Sequence, residues 1–200
     1  MDLGGLENQQ PFELPTSFDH STKFTMRTSR SDREMKIRLH CATLANVIEA
    51  IRPTYLDAAE PQKALLETMI GAAIWYVPKP SHAWTGMISV AALRAFHPAS
   101  GVARPKVSEE HMYPRKVAAK QLLAKAALDP NGLLEAFLTR YSLVHYITPD
   151  ENKAVTRFQR TSVFRSPDEA YELAGIHFVS IKREDYPRIK KRDRSLIEAY

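Results

Sequence analysis

Tyr141-Ser142-Leu143-Val144-His145-Tyr146-Ile147-Thr148-Pro149-Asp150-Glu151-Asn152-Lys153 reads as a strand that passes directly into a helix. The run from Tyr141 to Ile147 is short and rich in β-branched and aromatic side chains, which suit a pleated, half-buried surface. Thr148 then stands where a helix needs a side-chain oxygen for its first free N–H groups, Pro149 fills the first turn, and Glu151 holds the reciprocal capping-box position. Strand chemistry gives way to helix-cap chemistry at one residue, so the fold must combine both kinds of element.

Outward from this junction the signals are mainly helical. Ser31 and Glu34 have capping-box spacing, and Met35, Leu39, Ala42, Ala45, Val47 and Ile48 recur at helical intervals until Pro53, which is expected to stop the run. Glu60-Pro61 opens a second helix whose Leu65, Leu66, Met69, Ile70, Ala73 and Ile74 are apolar on more than one side, which predicts a deep position in the core, closed by Trp75 and Tyr76. Shorter helices are expected from Ser89 to Phe96, Val117 to Leu128 and Leu133 to Thr139, with a turn at Asp129-Pro130-Asn131-Gly132. Ser166-Pro167-Asp168-Glu169 repeats the helix-start signature, its helix ends near Gly175, and Ile176 to Ile181 follows as a strand. Trp75, Trp84, Tyr171, Leu173 and Ile176 are assigned to the core. The prediction is a mainly helical α+β protein with a small β element toward the C-terminal half. Residues 1–30, with two Gly, two Pro and no sustained period, are read as a flexible arm, and residues 31–200 as a single globular domain.

The composition fits that reading: 200 residues, 44% hydrophobic and 26% charged, suffice for one filled core and argue against disorder. A formal charge of +5 favours an anionic partner. The single Cys41 excludes an internal disulfide and any Cys-based zinc cluster. No apolar stretch is long enough for a membrane span, and the polar first residues lack the pattern of a secretion signal, so the expected compartment is the cytoplasm.

The chemistry concentrates in Ser108-Glu109-Glu110-His111-Met112-Tyr113-Pro114-Arg115-Lys116 and in the Glu151-Asn152-Lys153 end of the opening stretch. An acid beside a histidine places a hard oxygen ligand next to a general base, and a helix-borne Asn adds a second oxygen. Between Ser108 and Arg160 the chain resembles the HNH, or His-Me finger, nucleases, in which an Asp-His or Glu-His pair ends a strand and a His or Asn follows on the helix after a second strand. The resemblance implies a metal-dependent endonuclease with a nuclease-like core over residues 105–181, DNA as the favoured substrate, and a restriction, phage or host-defence setting. It also implies His111 as general base, and Glu110 and Asn152 as ligands of a divalent ion, Mg²⁺ or Mn²⁺. The zinc-binding Cys pairs of many members are absent.

Arg115 and Lys116 would lie beside the phosphate and offset its developing charge, with Lys153 acting from the opposite side. Lys190, Lys191 and Arg192, within a basic tail, would track a nucleic-acid backbone. His145 is expected to face solvent or a partner side chain and not to ligate. Other readings of the same residues stay open. His111 could be a helix-entry histidine, with Glu109 and Glu110 favouring the positive end of that helix. The chain could be a non-catalytic nucleic-acid-binding or regulatory module, or a metal-free RNA-cleaving or base-excising enzyme. A homodimer would suit an enzyme that must cut both strands.

Overall fold

A computed structural model describes residues 30–200. The expected flexible arm falls, but for its last residue, outside the described residues. Within them the architecture is α+β and mainly helical, with one four-stranded sheet.

Helix α1 (Arg30–Asp57) and helix α2 (Glu60–Tyr76) pack with α4 (Arg115–Ala124) and α5 (Pro130–Ala136) around the largest core. Along α1 the buried stripe is Ile37, Cys41, Leu44, Ala45 and Ile48, so the sequence-based face is corrected: Met35 and Leu39 are 66% and 63% exposed. Each fully buried aliphatic side chain of this kind contributes about 1.5–3 kcal/mol. Pro53 does not end the helix. It removes one backbone hydrogen bond, but Tyr55 one turn-half further on is buried in the same core and donates through its hydroxyl to Glu67 Oε1 of α2 at 3.0 Å. Tertiary anchoring therefore carries α1 past a local breaker.

The bounds of α2 agree with its sequence signals, but its depth does not. Glu67, Ile70, Gly71 and Ile74 form one buried stripe, whereas Leu65, Met69, Trp75 and Tyr76 are exposed. At Gly71 a Cβ would lie 3.1 Å from the carbonyl oxygen of Arg115. The missing side chain lets α2 and α4 approach closely, which fixes the first turn of α4 against α2.

Strand β1 (Trp84–Ser89) leads into α3 (Val90–Phe96), whose N-cap Ser89 accepts from the Ala92 N–H at 3.0 Å. Strand β2 (Ser108–His111) is followed by α4 and α5, a π-helical turn at Phe137–Tyr141, and then β3 (Val144–Ile147). The box foreseen at the head of α6 (Pro149–Thr156) is formed: Thr148 Oγ1 accepts from the Glu151 N–H at 3.2 Å, and Glu151 Oε2 accepts from the Thr148 N–H at 2.8 Å. Helix α7 (Pro167–Leu173) starts at Ser166 as expected, and β4 (Phe178–Ser180) lies within the apolar run anticipated there.

The sheet order is β2-β3-β1-β4, with β1 parallel to β3 and antiparallel to β4, and β2 antiparallel to β3. Ile147, Val155, Ala170, Tyr171 and Ile176 join β3 to α6 and α7 in one cluster. Ile88, Leu93, Phe96, Ile181, Ile189 and Ile197 join the sheet to α3, α8 (Tyr186–Lys190) and α9 (Arg194–Glu198) in another. Among the described residues no helix is long and apolar enough to cross a membrane.

Candidate active site

Strand β2 lies at one edge of the sheet, and its partner β3 runs straight into the capped helix α6. Glu110 pairs with His145 and His111 with Val144. Successive side chains of a strand leave opposite faces, so only a cleft that runs over the free edge can be lined by Glu109, Glu110 and His111 in succession. Such a cleft, about 720 Å³, opens there between α2 and α6. It gathers Glu110 and His111 from β2, Arg115 and Lys116 from the start of α4, and Asn152 from α6. Five residues singled out in the sequence thus share one cavity, although forty-odd positions separate the first from the last.

Glu110 is only 7% exposed, and burial pushes its carboxyl from an ordinary 4.5 up to about 7. Gln159, just beyond α6, donates from its side-chain amide to Glu110 Oε1 and acts in the opposite direction. Burial first, and then the negative charges of Glu110 and Asp168, raise the Tyr171 hydroxyl, which has no hydrogen-bond partner among the described residues. A buried carboxylate met by one neutral amide is under-compensated, which is the condition in which a cation is welcome.

The His111 imidazole is pushed down to about 4, first by burial, then by the positive charges of Lys79 and Arg115, against a backbone hydrogen bond with Tyr141. It is therefore neutral at pH 7. Its Nε2 is buried without a partner, and its ring packs against Trp75 with centroids 4.7 Å apart. His111 closes β2 four residues before α4, so it ends a strand and does not open a helix, but its ring makes a backbone hydrogen bond with Tyr141, as the alternative of a histidine bonded to a backbone carbonyl expects.

Around the ring the cations are ordered by one aromatic. The Arg115 guanidinium stacks 4.3 Å from the Trp75 centroid and Lys79 Nζ lies 5.4 Å from it, while Lys79 also pairs with Glu109. Lys116 is exposed at the cleft.

The other sequence-chosen residues lie elsewhere. Lys153 is exposed, pairs with Asp150 at 3.6 Å and does not line the cleft. Lys190, Lys191 and Arg192 lie at and just after the end of α8, which packs with α3 on the sheet, and they do not line the cleft. Arg192 gives its guanidinium to the carbonyls of Phe96, His97 and Pro98 at 3.2, 3.1 and 3.2 Å. His145 is buried, hydrogen-bonded between Nδ1 and Thr85 Oγ1 at 2.7 Å, and packed on Tyr171 and Phe178, in keeping with a partner-facing strand histidine.

Gln159 and Trp75 are among the cleft residues that were not singled out as functional. Gln159 carries no local pattern, since its role depends on the path of the chain after α6. Trp75 was assigned to the core, yet it is 45% exposed and touches both His111 and Arg115. Among the described residues no group of three or more His, Cys, Asp or Glu side chains could hold a metal ion. The chain matches no protein-family model, no characterised protein and no solved structure.

Proposed function

We propose that this cleft hydrolyses phosphodiester bonds in nucleic acid with the help of a divalent metal ion, DNA being the favoured substrate. The observation that carries the reading is the meeting, over one sheet edge, of a buried under-compensated carboxylate, a neutral imidazole, a helix-borne amide and two cations.

The donors suit a hard ion. Glu110 and Asn152 offer two oxygens and no sulfur, and a Mg²⁺ or Mn²⁺ ion commonly takes one or two carboxylate ligands and completes its shell with water and substrate phosphate oxygens. When bound, the ion would supply Lewis acidity at the phosphorus and stabilise the leaving oxygen. The chain's own residues do the rest. His111, unprotonated, takes a proton from the attacking water. Arg115, held in place by the Trp75 face, and Lys116 offset the charge that grows on the phosphate. Gln159 occupies Glu110 Oε1, and the other carboxylate oxygen would be the one left to hold the ion.

The test is incubation of the protein with supercoiled plasmid and, separately, total RNA in Mg²⁺, Mn²⁺ or EDTA, alongside His111→Ala. Metal-dependent nicking that vanishes in the variant is the expected result. Cleavage that persists in EDTA would point to metal-free chemistry, and intact substrates under all conditions would leave a binding module.

A further inference from the structure

The cleft holds a second buried carboxylate that the proposed chemistry does not use. Glu67 of α2 is 7% exposed and lines the wall. Its Oε1 accepts from the Tyr55 hydroxyl at 3.0 Å, and Tyr55, itself 5% exposed, is locked in the α1–α2 core. The carboxylate is thus held in one orientation with only one oxygen taken, and it forms no ion pair among the described residues. Among the described residues it shares no hydrogen bond with Glu110, whose side-chain partner is Gln159. Eight residues along the same helix lies Trp75, about 12 Å away at 1.5 Å per residue. Between them the wall is Thr68, Gly71 and Ala72, all small side chains.

A fixed acceptor in a cleft for a polyanion repels phosphate, and is compatible with such a ligand only where it meets a hydrogen-bond donor. In DNA, the favoured substrate, the hydrogen-bond donors along the chain are on the bases. In the major groove cytosine offers its N4 amino group, whereas thymine offers O4, guanine offers N7 and O6, and adenine sets an N7 lone pair beside its N6 amino group. An acceptor-only side chain is best matched by cytosine. On the reading that the cleft takes nucleic acid, we propose that Glu67 reads a base beside the phosphate held there, accepting a hydrogen bond from the N4 amino group of cytosine, with Tyr55 as the residue that positions it.

The experiment uses the full chain in Ca²⁺, with a pool of DNA duplexes randomised over the central base pairs and sequencing of the bound and free fractions. Wild type should enrich cytosine at one fixed position about tenfold over thymine. Glu67→Gln, which keeps size and the Tyr55 contact, should move that preference to adenine, whose N6 and N7 match a carboxamide. Tyr55→Phe should weaken the preference while leaving overall retention in place. Retention with no base preference, or a cytosine preference untouched by Glu67→Gln in a variant with unchanged Tm, overturns the inference while sparing the hydrolase reading. Cytosine-selective retention without cleavage in Mg²⁺ or Mn²⁺ sinks the hydrolase reading and leaves this one standing. No retention of any duplex removes both.

Discussion

The two edges of the sheet are both rich in basic residues, and they use them in opposite ways. At the β4 edge Arg183 donates to the carbonyls of Ser81 and His82 at 3.1 and 3.0 Å, and Arg192 clasps the last carbonyl of α3 and the two that follow it. Those guanidinium groups are hydrogen-bonded and tie loops to the tail. At the β2 edge Arg115 rests on an aromatic face, Glu110 meets one amide, and His111 Nε2 is buried alone. Charge density alone does not separate the two edges. They differ in whether the polar groups have partners, and a buried group without one costs free energy, at His111 Nε2 as also at Arg52 of α1, away from the cleft.

Five variants can break or sharpen that contrast. The largest effect is expected from His111→Ala, which should lower turnover by at least about 10²–10⁴-fold with little change in Tm, whereas Arg192→Ala should leave turnover within about twofold and destabilise the fold by about 1–3 kcal/mol through orphaned carbonyls. Plasmid nicking rates and urea denaturation read both; the reverse pattern would assign function to the wrong edge. Next, Gln159→Ala should raise the Mn²⁺ concentration needed for half-maximal nicking by about 10–100-fold, the usual cost of losing a partner of a ligand. An unchanged metal requirement would remove Gln159 from the site.

Glu110→Gln should abolish the metal requirement's benefit and yet stabilise the metal-free protein. Because the folded carboxyl titrates near 7 and not near 4.5, its contribution to stability is full below the lower value and lost as pH rises through the higher one. His111, near 4 against 6.5, has the opposite sign: its contribution is present above 6.5 and lost as pH falls through 4. In the wild type the two largely offset each other. Without the Glu110 carboxyl, the variant's advantage should grow by up to roughly 3 kcal/mol between pH 4.5 and 7; denaturant melts in EDTA that run parallel at all pH values would show that burial does not shift this group. The smallest effect belongs to the exposed tail. Lys190→Ala with Lys191→Ala should leave turnover unchanged and, if these side chains touch phosphates, reduce the salt slope of DNA binding by about one per residue.

What the sequence made legible follows from the range of the physics involved. The junction at Thr148 is visible because propensity and capping act within four residues, and Ser89 and Ser166 are readable starts for the same reason. Glu110, His111 and Asn152 could be chosen by residue type and order, with no information on whether they meet. The face of α1 was misplaced by two residues, since Met35-Leu39 and Ile37-Cys41 have equal spacing and only the packing of α2 and α5 separates them. Strand β1 was not foreseen: Trp-Thr-Gly-Met-Ile-Ser has no clear alternation, and its Gly86, at φ 91°, accepts from the Ile181 N–H through a bend rather than a regular ladder. Gln159 and Glu67 gain meaning only from neighbours 49 and 12 residues away.

The most direct test of the central claim is Mn²⁺ binding followed by electron paramagnetic resonance on the metal-free protein, in parallel with Glu110→Gln and Asn152→Ala. The account expects one bound ion per chain in the wild type and a loss of at least tenfold in affinity in each variant. Binding that is undiminished in both variants, or absent from the wild type with and without a phosphodiester ligand, would contradict it.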